Sequence, residues 1–81
     1  MKLELTRVAI KDLDRLEQKT RDKVKEELYK LRDNKAKFKK IKGQEQTGRL
    51  RVGEYRVIFE ISGETIYIKT VKHRREVYRN L

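Results

Sequence analysis

Cysteine and proline are absent from this chain of 81 residues, and it contains a single histidine. The absence of cysteine excludes a disulfide framework, a thiolate metal site and a cysteine nucleophile. The longest hydrophobic runs have three residues, as in Val57-Ile58-Phe59, whereas a membrane-spanning helix needs about 20. The N-terminal segment also lacks the apolar centre of a signal peptide. We therefore expect a cytoplasmic protein with no membrane segment.

Acidic residues are far fewer than basic residues in this chain. It carries 23 lysines and arginines against 13 acidic residues, for a formal net charge of +10. With 36% hydrophobic and 44% charged residues, we expect one small domain over residues 1–81 with a thin core. So much positive charge on a small surface favours a polyanionic partner, above all nucleic acid. An acidic protein partner, or charge that serves solubility alone, are the alternatives.

The apolar spacing predicts an α+β fold. Residues 2–6 alternate as in a strand, and two helical stripes follow, at Ala9, Leu13 and Leu16 and at Val24, Leu28 and Leu31. Thr20 is a plausible N-cap for the second helix, and Asp33-Asn34 its end. The basic segment 35–43 is expected to be a connecting loop.

From residue 49 onward the period changes to two. Strands are predicted at 49–52, 55–61 and 66–71, separated by turns at Gly53-Glu54 and Ser62-Gly63-Glu64, with a short helix over residues 73–80. The expected architecture is a small antiparallel sheet with two N-terminal helices packed on one face and a short C-terminal helix. The opposite face would expose Arg49, Arg51 and Arg56, a suitable surface for phosphate.

Three stretches carry a family resemblance: Tyr55-Arg56-Val57-Ile58-Phe59-Glu60-Ile61, Ile66-Tyr67-Ile68 and the segment from Val71 to Arg79, Val-Lys-His-Arg-Arg-Glu-Val-Tyr-Arg. In this order and spacing they resemble the RelE-like toxins of the RelE/ParE superfamily, and the likeness covers nearly the whole chain. The resemblance implies the toxin of a type II toxin–antitoxin pair, an endoribonuclease (mRNA interferase) that cuts mRNA in the ribosomal A site. It implies no metal or other cofactor, attack by the ribose 2′-OH, and a cognate acidic antitoxin as partner.

By the same resemblance, the catalytic candidates are Arg56, His73, Arg74 and Tyr78, and the substrate-binding candidates are Arg49, Arg51, Lys42, Lys72 and Arg75. Arg56 would stabilise the phosphorane, and Tyr78 would stack a base or assist proton transfer. His73 is a candidate acid or base.

Several alternatives stay open at these positions. Arg56 could pair with Glu60 at the surface, Tyr78 could pack on the sheet edge, and His73 could be structural. The general base is not identified, since some relatives carry lysine where this chain has Thr47, although Lys42 could substitute for it.

No group of residues has the spacing of metal ligands. The chain has one histidine and no cysteine, and the side chains of the adjacent carboxylate pair Glu26-Glu27 would point about 100° apart on a helix, too far to share an ion. Two other functions remain possible. One is a ParE-type toxin that inhibits DNA gyrase, or a catalytically inactive toxin. ParE-like chains generally lack the terminal His-Arg…Tyr set, which is present here. The other is a basic RNA-binding module without catalysis.

Overall fold

The computed structural model describes residues 1–36, 38–41 and 44–79, and it describes only the backbone of residues 40, 41, 44, 45, 78 and 79. The elements are β1 (Lys2–Leu5), α1 (Arg7–Asp14), α2 (Gln18–Arg32), β2 (Lys39–Ile41), β3 (Gln44–Val52), β4 (Tyr55–Ser62), β5 (Thr65–His73) and α3 (Arg74–Arg79). This order confirms the predicted α+β class. No helix in the described ranges is long and apolar enough to span a membrane.

Helices α1 and α2 are the two amphipathic helices that the apolar stripes predict. The hydroxyl of Thr6 caps α1, accepting a hydrogen bond from the Ala9 N–H at 3.2 Å. The predicted N-cap at Thr20 is wrong: α2 already begins at Gln18, and its N-cap Glu17 makes no side-chain capping bond. Thr20 therefore lies inside the helix, in its first turn.

The end of α2 lies where the sequence predicts it. The helix stops at Arg32, Asp33 is its C-cap, and Asn34 takes a left-handed conformation with φ of 59°, which asparagine tolerates better than most residues. The exposed Asp33 carboxylate accepts a hydrogen bond from the neighbouring Arg32 guanidinium, which lowers the pKa of Asp33 below its ordinary value.

The five strands form one sheet in the order β1-β5-β4-β3-β2. Strands β2 to β5 pair antiparallel, as expected for the last three, whereas β1 pairs parallel with β5 and makes the sheet mixed. The loop predicted over residues 35–43 is wrong at Lys39–Ile41, which pairs with β3. A short, lysine-rich strand is typical of a sheet edge, where it needs only one partner.

The helices cover one face of the sheet, with α1 against β5 and α2 against β3. The core lies between the two layers and consists of Ala9, Leu13, Val24, Leu28, Leu31, Leu50, Val52, Val57, Phe59, Ile66, Ile68 and Val71. Two charged side chains are also buried, Asp12 at 5% and Arg56 at 6% exposure. Buried charges need specific partners, and both of these lie at the end of the sheet where β5 leads into α3.

Both predicted hairpin turns are confirmed. Gly53 and Gly63 have φ of 58° and 60°, the left-handed conformation that favours glycine. The short terminal helix is also confirmed, as α3. The turn between β3 and β4 lies beside the start of α3, because the Arg74 N–H donates to the Glu54 carbonyl oxygen at 2.7 Å. That contact brings the candidate residues of β4 and α3 to one end of the sheet.

Candidate nucleic-acid interface and active site

Three cationic side chains lie side by side across strands β3, β4 and β5. Arg51 is the register partner of Arg56, and Arg56 is the partner of Lys72. Side chains directly opposite each other have Cβ atoms about 5 Å apart, and like charges in such pairs are destabilising. Lys39 of β2 and its partner Arg49 of β3 lie one step further along the same face. We call Arg51, Arg56 and Lys72 the basic row, a place where a bound anion would relieve repulsion.

Arg56 is not the exposed residue that strand alternation predicts; that prediction is wrong. Its Nη1 donates to the carbonyl oxygens of Gly53 at 3.0 Å and Tyr55 at 2.9 Å, so the side chain folds back over its own turn. It makes no ion pair with Glu60, the alternative considered above. Nε and Nη2 make no hydrogen bond with the described residues, yet neither is fully enclosed. Both can therefore donate to a bound phosphate.

Arg74 is held against the same turn. Besides the backbone hydrogen bond to Glu54, its Nε lies 2.8 Å from the Glu54 Oε2. The two side chains are 50% and 60% exposed. Nε lies in the ion pair, and Nη1 and Nη2 of Arg74 make no hydrogen bond with the described residues, so both can donate to a ligand. Gly53 and Glu54, adjacent in one turn, thus bind Arg56 and Arg74 respectively.

His73 lies on the other side of the sheet from Arg56. It is the register partner of Tyr55, and their rings meet edge to face with centroids 5.5 Å apart. Alternation along β5 puts His73 on the helix-covered side, where Val71 is buried in the core. Its Nδ1 accepts a hydrogen bond from the Arg75 N–H at 3.3 Å, so the neutral ring carries its proton on Nε2. The structure does not bring His73 and Arg56 together.

Lys72 is bound by a buried carboxylate of α1. Strand β1 pairs with β5 only as far as Leu5 and Ile68. Beyond that point Asp12 takes over the edge, accepting hydrogen bonds from the Val71 N–H at 2.9 Å and from the Lys72 ammonium at 2.7 Å. The positive charge of Lys72 is therefore compensated inside the protein, whereas Arg51 and Arg56 form no ion pair with the described residues.

A pocket of about 200 Å³ opens beside His73 on the helix side; its lining includes Asp12, Arg15, Tyr55, Lys72, His73 and Glu76. Its lining contains two acidic and two basic side chains besides His73, so it has no strong preference for an anion. A second hollow, of about 290 Å³, separates α2 from the β3–β4 turn and includes Lys19 and Lys23. Across the described ranges, no three His, Asp or Glu side chains are close enough to hold a metal ion.

The other candidates are located less fully. Lys42 lies outside the described residues. Only the backbone of Tyr78 is described, in α3, so its shared face with Arg74 stays a prediction. Arg49 is half-buried and takes part in at least one interaction within the protein. Arg75 is exposed, and its described contact is the backbone hydrogen bond to His73.

Comparison with known proteins gives the family. The model of the ParE toxin family, described as the ParE toxin of type II toxin–antitoxin system, parDE, matches residues 3–78. This chain belongs to that family. The toxin is 34% identical to Toxin RelE3 of Methanocaldococcus jannaschii, with 96% of each chain covered.

Solved structures agree with this assignment. The toxin superimposes on a chain of the RelB-RelE antitoxin-toxin complex from Methanococcus jannaschii with a TM-score of 0.82 and 29% identity, covering 96% of this chain and 98% of that one. It matches a chain of the RelBE2 toxin-antitoxin complex from Mycobacterium tuberculosis with a TM-score of 0.75 and 27% identity, over 90% and 96% of the two chains. The resemblance stated from the sequence to the RelE/ParE superfamily is confirmed.

Sequence reasoning missed two residues of this toxin's candidate site. Asp12 follows Ala9 by three positions and so falls on the apolar stripe of α1, a signal that the carboxylate is buried and needs partners. Glu54 was interpreted only as part of a turn. No local pattern identifies its role, because its partner Arg74 is 20 positions away and reaches it through the pairing of β4 with β5.

Proposed function

We propose that this toxin is an endoribonuclease that cuts mRNA in the ribosomal A site by attack of the ribose 2′-OH. The observation that carries the proposal is the pair of arginines held by one turn: Arg56 through Gly53 and Arg74 through Glu54. Donors fixed before the substrate arrives stabilise developing charge most effectively, because they need not reorganise during the reaction. The likeness to a protein named Toxin RelE3 supports the same branch of the family.

In the proposed reaction, the 2′ oxygen forms a bond to the adjacent phosphorus and the bond to the 5′ oxygen breaks. The 2′-OH loses a proton and the departing 5′ oxygen gains one, so the products are a 2′,3′-cyclic phosphate and a 5′-hydroxyl. Arg56 and Arg74 stabilise the phosphoryl oxygens, and Arg51 and Arg49 grip the RNA backbone. No metal ion is invoked, since the arginines supply the positive charge that a divalent cation would otherwise provide.

The remaining roles are assigned by position. Tyr78 stacks on a base or assists proton transfer, as the family resemblance implies. His73 lies across the sheet from Arg56 and donates no group to the basic row, so we assign it the positioning of α3 through Arg75 rather than acid–base catalysis. Lys72, bound by Asp12, supports the row electrostatically. The base that deprotonates the 2′-OH is left unassigned.

An antitoxin is the proposed inhibitory partner. The solved relatives from Methanococcus jannaschii and Mycobacterium tuberculosis are toxin–antitoxin complexes. With a net charge of +10, this toxin suits an acidic, partly disordered segment that folds on binding and covers Arg51 and Arg56. Such a partner would inhibit the toxin by competing with RNA for the same cations.

The test uses a ribosome-bound message with a single 2′-deoxy substitution at the cut site. The toxin should cut the all-ribose message inside the reading frame, leave a 5′-hydroxyl on the downstream fragment, and fail to cut the substituted one. Omitting magnesium is no substitute for this control, because ribosomes themselves require it. Undiminished cutting of the substituted message, or a 5′-phosphate, would contradict 2′-OH attack. Intact messages together with blocked DNA replication would favour the gyrase-inhibiting function, which the ParE name of the matched family model keeps in view.

A further inference from the structure

The two hairpin turns of the sheet have the same central residues but different surroundings. Gly53-Glu54 joins β3 to β4, Gly63-Glu64 joins β4 to β5, and both glycines have φ near 60°. The Glu64 carbonyl oxygen accepts the Lys2 N–H at 2.8 Å, whereas its carboxylate makes no ion pair with any described residue. The Glu54 carboxylate binds Arg74. The chain therefore contains a built-in control for the role of Glu54.

The ion pair of Glu54 with Arg74 contributes little to stability. Both side chains are at least half exposed, and exposed pairs commonly contribute between nothing and about 1 kcal/mol. The α3 helix already has a backbone link to this turn, since the Arg74 N–H binds the Glu54 carbonyl oxygen. The carboxylate adds a constraint that the backbone cannot provide: as an ion-pair partner 2.8 Å from Nε, it holds that side of the guanidinium beside the turn.

The neighbouring residue of the turn fixes the second arginine. The Gly53 carbonyl oxygen accepts from Nη1 of Arg56, one peptide unit away from the group that binds Arg74. In both arginines, two nitrogens make no hydrogen bond with the described part of the chain and can bind a ligand: Nε and Nη2 in Arg56, and Nη1 and Nη2 in Arg74. A turn of two residues thus sets where both guanidinium groups lie relative to each other.

We propose that Glu54 is a positioning residue of the toxin, which orients the Arg74 guanidinium so that Arg56 and Arg74 bind the same scissile phosphate. This inference rests on the proposed endoribonuclease function and adds a residue to its site. Glu54 touches no substrate in this arrangement; it acts through Arg74. Misplacing a catalytic group by about 1 Å can slow a reaction about 100-fold, so loss of orientation alone should produce a measurable defect in the rate and little change in RNA affinity.

The test is a double-mutant cycle on single-turnover cutting of ribosome-bound mRNA, with Glu64→Ala as the matched control. We expect Glu54→Ala to lower the maximal rate about 10-fold, with the half-saturating toxin concentration changed less than about twofold. Glu54→Gln keeps an oxygen that can accept from Nε and should recover part of the rate. In an Arg74→Ala chain, Glu54→Ala should have no further effect, since Glu54 acts through that arginine.

The outcomes separate this inference from the proposed function. If the wild-type chain cuts but Glu54→Ala cuts at the wild-type rate, or if the effects of Glu54→Ala and Arg74→Ala multiply, the inference is wrong and the proposed function stands. If the wild-type chain cuts no RNA, the proposed function fails and the inference with it. Circular dichroism and thermal unfolding of each variant exclude loss of the fold, and Glu54→Gln serves the cycle if Glu54→Ala does not fold.

Discussion

The ring of Phe59 lies directly against the Cα of Gly48, its register partner on the neighbouring strand. A Cβ atom at position 48 would be 2.3 Å from Cζ of that ring, far closer than van der Waals contact allows. Phe59 is fully buried and also meets Phe38 edge to face, with centroids 5.0 Å apart. Strand β3 therefore needs glycine at this point so that the largest core side chain can cross it.

Replacing Gly48 with alanine should destabilise the protein. The Phe59 ring cannot swing away, because it is enclosed on all sides, so the added methyl group forces strain of about 1–3 kcal/mol. Urea unfolding measures the loss. In a Phe59→Leu chain the same replacement should cost less, because the smaller side chain leaves room. Equal costs in the two backgrounds would show that the contact with Phe59 does not set the requirement for glycine.

Arg56→Ala should reduce both stability and RNA cutting. The replacement removes the part-buried hydrogen bonds to the carbonyl oxygens of Gly53 and Tyr55, at a cost of about 1 kcal/mol. RNA cutting must therefore be measured well below the variant's melting temperature, where essentially all molecules are folded. A folded Arg56→Ala chain that cuts at the wild-type rate would remove Arg56 from the active site.

Arg51→Ala should weaken RNA binding without affecting the fold. Arg51 is exposed, so its loss should change the free energy of unfolding by no more than about 0.5 kcal/mol. If it contacts a phosphate, the slope of log affinity against log salt concentration should fall by about 0.7 for single-stranded RNA. Lys69→Ala removes the same charge from an exposed position outside the basic row and is the control. Identical slopes in the two variants would mean that net charge alone, rather than the row, binds RNA.

Asp12→Ala should be more destabilising than Lys72→Met. The alanine variant leaves the Val71 N–H without an acceptor at the sheet edge and costs about 2 kcal/mol. In the methionine variant Asp12 keeps that hydrogen bond but loses the partner of its buried charge; because the Lys72 side chain is 26% exposed, water can approach the carboxylate, and the loss should be smaller, about 1 kcal/mol. Chemical denaturation ranks the two. The reverse order would mean that the ion pair, not the backbone bond, holds α1 to β5.

His73→Asn should retain most of the cutting activity. Asparagine has a side-chain oxygen that can accept the Arg75 N–H in place of Nδ1, so the start of α3 keeps its hydrogen bond. We expect a rate within about 10-fold of wild type, whereas loss of a general acid or base typically costs 100-fold or more. The pH dependence of the rate is the second readout. A loss above 100-fold, with a changed pH profile, would make His73 the acid or base after all.

The sequence predicts those parts of the fold that depend on local periodicity. Burial on one face imposes a period of 3.6 on a helix and of 2 on a strand. Apolar stripes such as Val24, Leu28 and Leu31 in α2 therefore identified the two N-terminal helices, and alternation such as that around Val57 identified the three long strands. The edge strand Lys39–Ile41 was missed because it has no apolar alternation; its pairing depends on β3. The start of α2 was missed by three positions because Thr20 is a residue type that often caps helices but is not the cap here.

The candidate site was predicted in part, for a similar reason. Alternation assigns Arg51 and Arg56 to one face, and the structure agrees, but it says nothing about a side chain that folds back onto its own turn, as Arg56 does. The separation of His73 from Arg56 does follow from alternation along β4 and β5, once their register is known. The contacts of Asp12 and Glu54 join residues far apart in the chain, and only the assembled sheet shows them.

The parallel pairing of β1 with β5 has a consequence for how the toxin folds during its synthesis. Thr6, at the end of β1, binds the carbonyl oxygen of Ile68, 62 positions later in the chain, and β5 lies between β1 and β4 in the sheet. Contacts over such distances make folding slow, because a long loop must close before they form. A nascent chain therefore cannot complete the sheet, or bring β4 and α3 together, until β5 and α3 have left the ribosome. Translation products that stop before β5 should accordingly lack the fold on which the proposed activity depends.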